Sequence, residues 1–321
     1  MKRLLLILSM KPNILVGGQA VIEGVMMRVP GAYSTAVRCP NGDIKIKRKE
    51  FFSITERSIL WSKPIFRGIA SLYEAMKMGM STLQWSADIS YPEESSEGII
   101  SKIMDFMTTI FSIILAISLF MVLPMWLTTK LLSIEKEALW FNLFSGVYRI
   151  IFFVVYLFLI SKIKDIARLF QYHGAEHKVV YNFESGNDLS VANAQSFPTQ
   201  HPRCGTSFMF IVLLSAIFVF AIVDTIIIYY FGTISLSTRL LFHLPLIPLV
   251  SGIGYELIKI TSKNNLLIFR ILKAPGILLQ NITTKQPDDK MIEVSIAALK
   301  DAFGDEYDNF VGKKYRAEAI G

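Results

Sequence analysis

The sequence predicts a mainly α-helical, polytopic membrane protein of about four transmembrane helices, with a small N-terminal α/β region in the cytoplasm. Three observations predict it. Hydrophobic residues make up 52% of the 321, and mean hydropathy is +0.45. Four apolar runs are long enough to cross a hydrocarbon core, which takes about 20 residues. Lys and Arg alternate between rich and poor segments on the two sides of those runs, the bias that sets membrane orientation.

Taken in order, Met1–Met10 has a basic start and a short apolar core. Lys11-Pro12 follows in place of a small-residue cleavage site, so the segment is read as retained. Residues 14–40 mix Gly17-Gly18 with short apolar runs. Pro40-Asn41-Gly42-Asp43 is a turn signal between Ala32–Cys39 and Ile44–Phe51, which predicts a β-hairpin. The second strand carries Lys45, Lys47 and Lys49 in alternation and reads as an exposed face or edge. Pro64 opens a helix from Ile65 to about Asp88, whose apolar spacing suits packing on the membrane domain or in its interface. Residues 91–98 form a polar linker.

The first span, Phe106 to Thr129, is 24 residues without a charge. The second, Ala138 to Ser161, is interrupted by Arg149, and the third, Ser207 to Phe231, by Asp224. The fourth, Leu240 to Ile258, contains His243 and Glu256 and is loosened by Pro245, Pro248, Gly252 and Gly254. A charge at a span centre costs about 2.5–3.5 kcal/mol, so such residues pair. An Arg149–Asp224 pair with His243 beside it is the expectation. Residues 264–280 read as an amphipathic interfacial segment broken at Pro275-Gly276, and 288–303 as a final soluble helix. The chain thus divides into an N-terminal region (1–104), a transmembrane domain (105–260) with a His-rich loop (162–206), and a C-terminal part (261–321).

Fourteen Lys and Arg precede the first span, two lie in 130–137, five in 162–206, none in 232–238 and nine after 260. This places both termini and the 162–206 loop in the cytoplasm. The net charge of +7 is read as this bias and not as a nucleic-acid footprint, since no basic–aromatic interleaving accompanies it. The expected partners are membrane lipids or a membrane-associated substrate, with a homo-oligomer left open. Two cysteines, Cys39 and Cys204, lie in the regions placed in the cytoplasm, where a structural disulfide is not expected. Gly17, Gly18 and Gly24 form no phosphate loop, and no nucleotide is assigned.

The chemistry concentrates in the 162–206 loop. Three of the four histidines lie there: His173-Gly-Ala-Glu176-His177, then His201-Pro-Arg-Cys204. His173 and His177 are four apart, so on a helix they share a face and can hold one ion. A divalent metal, zinc by ligand type, is the expected cofactor. Its ligands would be His173 and His177 with His201 or with Glu256, leaving a fourth position open as in catalytic sites. Cys204 as an additional ligand would close the sphere and make the site structural. Glu176 would be the general base or would orient a histidine. His-x-x-Glu-His also occurs in inverzincin peptidases with a distal Glu, and Glu256 follows His177 by 79 residues. The function expected is a metal-dependent, hydrolytic membrane enzyme. The alternatives are a non-enzymatic scaffold with a structural metal, and a small oligomeric transporter using Arg149, Asp224 and His243.

Several segments carry a resemblance. Gly17-Gly-Gln-Ala-Val-Ile-Glu-Gly-Val-Met-Met-Arg28, Tyr172-His-Gly-Ala-Glu-His-Lys178, His201-Pro-Arg-Cys-Gly-Thr-Ser-Phe208, Ala274-Pro-Gly276 and Thr283-Thr-Lys-Gln-Pro-Asp-Asp289 resemble the YqhQ family, domain of unknown function 1385. The resemblance covers roughly 14–305. It implies a bacterial integral membrane protein of a family labelled as predicted metal-dependent enzymes. It also implies that His173, Glu176, His177, His201 and Cys204 are the family's polar centre.

Overall fold

The computed structural model describes residues 16–92, 99–263 and 266–315. The expectations for Met1–Met10 and for most of the 91–98 linker lie outside these residues. Four strands, β1 (Gly17–Val21), β2 (Gly24–Val29), β3 (Ala32–Arg38) and β4 (Ile44–Glu50), form an antiparallel meander in chain order. The predicted hairpin is β3–β4, and β4 is an edge strand exposed along nearly its whole length. β1 and β2 were not resolved as separate strands in the sequence reading. Their turns are nevertheless written locally. Pro30-Gly31 joins β2 to β3 with Gly31 at φ +85°, the residue types a type II turn demands.

The first long helix, α1 (Phe66–Ser90), bridges two layers. Its start packs on the bundle, where a Cβ on Gly68 would lie 2.7 Å from the Tyr255 Cβ and 2.9 Å from the Gly252 Cα. Its end packs on the sheet, where the Ser86 hydroxyl accepts the Ile22 N–H at 3.1 Å. Next come α2 (Ile99–Ile117), a π-helical turn at Ser118–Val122 and α3 (Leu123–Leu132). The widened turn directly precedes Pro124, which has no N–H to give the preceding turn. α4 (Ala138–Ile160) and α5 (Lys164–Ser185) follow. Then come α6 (Gly205–Phe231), α7 (Leu236–His243), a 3₁₀ turn at Leu244–Leu246, α8 (Ile247–Lys263), α9 (Leu267–Thr283) and α10 (Asp289–Phe303).

Among the described residues, four helical stretches are long and apolar enough to cross a membrane: Phe106–Leu132, Ala138–Ile160, Gly205–Phe231 and Leu236–Thr261. The third is the hub, since α4, α8 and α9 all pack on α6. They approach closely through glycines. An added Cβ would lie 2.4 Å from Ile217 at Gly146, 2.7 Å from Val212 at Gly254 and 2.5 Å from the Ser207 Cα at Gly276. Small residues at helix contacts are the usual means of close packing where lipid removes the hydrophobic drive. α9 corrects the expectation of a break at Pro275-Gly276, because the helix runs through Pro275. Gly276 serves the contact with α6 and makes no turn.

The soluble parts, separate in sequence, share one core. Val25, Met27 and Val29 of β2, Ala32 and Ala36 of β3, Tyr172, Ala175, Val179 and Phe183 of α5, and Ile292, Val294, Leu299 and Phe303 of α10 are buried together. α10 starts cleanly because the Asp288 side chain accepts the Met291 N–H at 2.8 Å. α5 therefore belongs to two structures at once. One side is core, and the other faces the start of α6.

Candidate metal centre

His173 and His177 lie on the side of α5 that faces α6, one turn apart, with ring centroids 4.5 Å apart. Cys204 is the residue before the first turn of α6, and its backbone is extended (φ −65°, ψ 146°). The Nε2 atom of His173 lies 3.2 Å from its Sγ, and the Thr206 hydroxyl donates to the same sulfur at 3.3 Å. Donor atoms of His173, His177 and Cys204 all fall within 4.8 Å of one another.

The ring orientations follow from backbone carbonyls. The Nδ1 of His173 meets the Thr283 carbonyl oxygen at 2.8 Å, and the Nδ1 of His177 meets that of Thr199. A carbonyl can only accept, so each Nδ1 carries the hydrogen. In the neutral rings both Nε2 atoms then present lone pairs. This is how protein metal ligands are oriented by the groups behind them. Glu176 adds to the arrangement. It is 6% exposed, and its Oε2 lies 3.4 Å from the Nε2 of His177, which is 2% exposed. Two lone-pair-bearing atoms facing each other in a buried place call for a proton or a cation between or beside them. The donor set of two imidazoles, one thiol and an adjacent carboxylate suits a divalent ion of borderline softness, zinc above magnesium or calcium.

His201 is near but turned away. Its ring lies against His177 and Tyr181, with centroids 5.4 Å and 4.5 Å away. Its Nδ1 accepts the Arg203 N–H at 3.4 Å, so Nε2 carries the hydrogen, 3.9 Å from Glu184. Burial pushes its pKa down to about 4, with Glu176 opposing the shift, so the ring is neutral. Gln280 of α9 clamps its backbone, accepting the His201 N–H at 2.7 Å and donating to its carbonyl at 2.9 Å. Lys178 donates to the carbonyls of Gln195 (2.8 Å) and Phe197 (2.6 Å), which fixes the loop that carries Thr199. Burial lowers the pKa of Lys178. Arg203 is ion-paired with Glu184.

Glu23, in the tight turn between β1 and β2 with φ +50°, reaches α5. It pairs bidentately with Arg168 and accepts from the Tyr172 hydroxyl at 3.3 Å, one residue from His173. Burial, reinforced by Glu23, raises the Tyr172 pKa. Arg28, the other charge of that segment, lies on the Phe51 ring 4.4 Å from its centroid.

Glu256 does not join the donor cluster. It takes a bidentate pair from Arg67 (2.7 and 2.5 Å) and accepts the Ile65 N–H at 3.3 Å. Ile65 has φ +69°, rare for a β-branched residue, and Glu256 helps hold that entry to α1. The expected Arg149–Asp224 pair is also corrected. Asp224 receives Asn142 at 2.7 Å, Arg239 at 2.9 Å and His243 at 2.8 Å. Arg239 wins because it enters from the next helix and is also anchored on the Glu135 carbonyl at 2.7 Å. It lies one residue ahead of the predicted fourth span, which begins earlier, at Leu236.

The model of the family "Protein of unknown function (DUF1385)" matches residues 63–305, more than half of the chain, and the protein belongs to that family. It is 30% identical over 305 residues to the "Uncharacterized protein YqhQ" of Bacillus subtilis (strain 168), an alignment covering 89% of this chain and 91% of that protein. No solved structure matches the chain. Neither description names an activity.

Proposed function

We propose that this family member is a multi-pass protein of the bacterial inner membrane that binds a divalent metal, zinc by donor type, through His173, His177 and Cys204. In this reading it acts as a hydrolase on a lipid-linked or membrane-associated substrate at the cytoplasmic face. The observation that carries the proposal is the fixed tautomer of both histidines. With each Nδ1–H held by a backbone carbonyl, two lone pairs meet the Cys204 sulfur beside a buried carboxylate. Three protein ligands with one position left open is the arrangement of catalytic zinc. When bound, such an ion supplies Lewis acidity and brings the pKa of a coordinated water to about 7. Glu176, buried beside His177, would be the residue to accept a proton, at Oε2. Thr199 and Thr283 keep the rings from turning, and the shared core of α5, α10 and the sheet keeps the helix in place.

The topology rests on the Lys and Arg distribution and gains support from packing. With four spans, the N-terminal sheet, the 162–206 segment and α10 fall on one side, and these are the parts that share a core. A structural role for the same ion is favoured by its depth, because His177 and Cys204 are both buried. It would then tie α5 to α6 with Glu176 as the fourth ligand.

Elemental analysis of detergent-purified protein, wild type beside His173→Ala/His177→Ala, tests the site. About one zinc per chain, lost in the double variant, is expected. No stoichiometric metal in freshly purified, chelator-free protein overturns the proposal. Glu176→Gln separates the two roles: a catalytic Glu176 leaves metal content unchanged, whereas a fourth ligand lowers it.

A further inference from the structure

The bundle contains a second polar centre, remote in sequence from the histidine cluster. Asp224 is fully buried, and its two oxygens are occupied by Asn142, Arg239 and His243. One cation is left over. Arg149 is 7% exposed, and neither its Nε nor its Nη2 has a hydrogen-bond acceptor among the described residues. A guanidinium cannot escape this by losing its proton. Asp224 attracts it at longer range, but burying a guanidinium without acceptors for its N–H groups remains unfavourable.

Two further unengaged polar atoms of the bundle, the hydroxyl of Ser145 and the Nδ1 of His243, belong to the same region. Ser145 lies one helical turn back on the same face of α4, and its buried hydroxyl also lacks a partner. The Gly146–Ile217 contact turns this face toward α6. There Phe220 carries Arg149 at 5.6 Å from its ring centroid and stacks with His243 at 4.0 Å. With the Nε2 of His243 donating to Asp224, its Nδ1 is the fourth buried polar atom without a partner here, and His243 the third residue. Donors and a titratable ring nitrogen from α4 and α7 thus surround one aromatic side chain of α6.

We propose that Arg149, Ser145 and His243 form a binding site for a small inorganic monoanion, chloride being the probe, inside the helical bundle. Depth selects the class. Arg149 is the middle residue of the 23-residue α4, about 16 Å from either end at 1.5 Å per residue. Headgroup phosphates of either leaflet lie beyond that reach. Valence selects within the class, because one unpaired guanidinium balances one negative charge. Arg149 and Ser145 donate to the ion, and His243 gains a third donor when its Nδ1 takes up a proton.

The test uses the full chain in detergent, purified in gluconate. Chloride is added at constant ionic strength while thermal unfolding is followed, and retention of radioactive chloride is measured in parallel. The expected result is a saturable rise in the unfolding midpoint and about one chloride per chain. Arg149→Gln weakens both at least tenfold, and Ser145→Ala, which keeps the charge, weakens retention severalfold. If Arg149→Gln does not fold, wild-type retention and Ser145→Ala decide. Absence of saturable retention by the wild type means that water alone fills the site and overturns the proposal. Equal retention by wild type and both variants places the ion elsewhere and also overturns it.

Discussion

Replacing Gly174 with alanine sets two physical effects of opposite sign against each other. Gly174 sits inside α5 between His173 and Glu176. By helix propensity alone, alanine in place of an interior glycine stabilises by about 1 kcal/mol. The packing points the other way. A Cβ at this position would lie 2.1 Å from the Lys285 carbonyl oxygen and 3.3 Å from the Thr199 Cγ2. Relief requires the 283–285 backbone to retreat by about an ångström, and that segment is tethered. Lys285 donates its N–H to the Phe170 carbonyl and its Nζ to that of Ser161, both at 2.9 Å. Overpacking costs about 1–3 kcal/mol, and disturbing buried backbone hydrogen bonds costs about 1–3 kcal/mol more. The sum outweighs the propensity gain and leaves a net destabilisation of about 1–5 kcal/mol.

The clash also reaches the proposed metal centre. Thr283, whose carbonyl orients His173, is two residues from Lys285. Loosening such an orienting contact lowers metal affinity about 10–100-fold. The measurement is thermal unfolding of detergent-purified protein together with its zinc content. Gly205→Ala serves as the control, since nothing lies within 4 Å of a Cβ there. A higher midpoint with full zinc content in Gly174→Ala would refute both the α5–Lys285 packing and the orientation of His173 derived from it.

Other outcomes are as definite. Asp224→Asn strands the buried Arg239 guanidinium and costs about 3–5 kcal/mol, read as lost monodisperse yield and a lower unfolding midpoint; wild-type behaviour would contradict the described pairing. Glu256→Gln weakens a partly exposed pair with Arg67 by about 1 kcal/mol and leaves zinc content unchanged, whereas loss of zinc would return Glu256 to the ligand set. Gln280→Ala leaves the buried N–H and C=O of His201 unpaired, about 2–4 kcal/mol, and a neutral effect on unfolding would count against that clamp. Chelation lowers the unfolding midpoint of the wild type but not of His173→Ala/His177→Ala; equal shifts in both would place the ion elsewhere.

The helices were legible because a membrane-length apolar run is a strong and local signal. The β3–β4 hairpin was legible from Asn41-Gly42 and from the alternating lysines. β1 and β2 escaped because Gly17–Val21 and Gly24–Val29 are short and lack polar alternation, although Pro30-Gly31 marked the turn between β2 and β3. In the candidate metal centre, the sequence put His173, His177 and Cys204 between two spans, yet it could not say that His201 turns away. That depends on the Gln280 clamp from α9, 79 positions downstream. The groups that fix both tautomers are backbone carbonyls of Thr199 and Thr283, and a carbonyl leaves no trace in residue identity. Arg239 escaped because the predicted span began at Leu240, four residues after the observed start at Leu236, so the charge that neutralises Asp224 fell in neither the span nor the 232–238 connection.

α5 explains why the candidate metal centre sits at the junction of the bundle and the layer that contains the sheet. A lone pair fixed by a carbonyl is only as well placed as the chain that carries the carbonyl. Thr283 ends α9, which packs on α6, and Thr199 lies in the loop held by Lys178 of α5. Cys204 begins α6. The donor atoms therefore depend on the bundle for two of their supports and on the soluble core for the third, since Tyr172, Ala175, Val179 and Phe183 fix the opposite side of α5. Any relative shift of α5 and α6 would separate the Nε2 of His173 from the Cys204 sulfur, now 3.2 Å apart. Binding of an ion must accordingly resist that shift, and an ion that binds the assembled state stabilises it in proportion to its affinity. Chelation should thus loosen the soluble layer from the bundle before either unfolds, with hydrogen exchange rising first at the start of α6 and in 196–204. A uniform rise across α10 and the sheet would instead mean that the ion stabilises the soluble core as a whole.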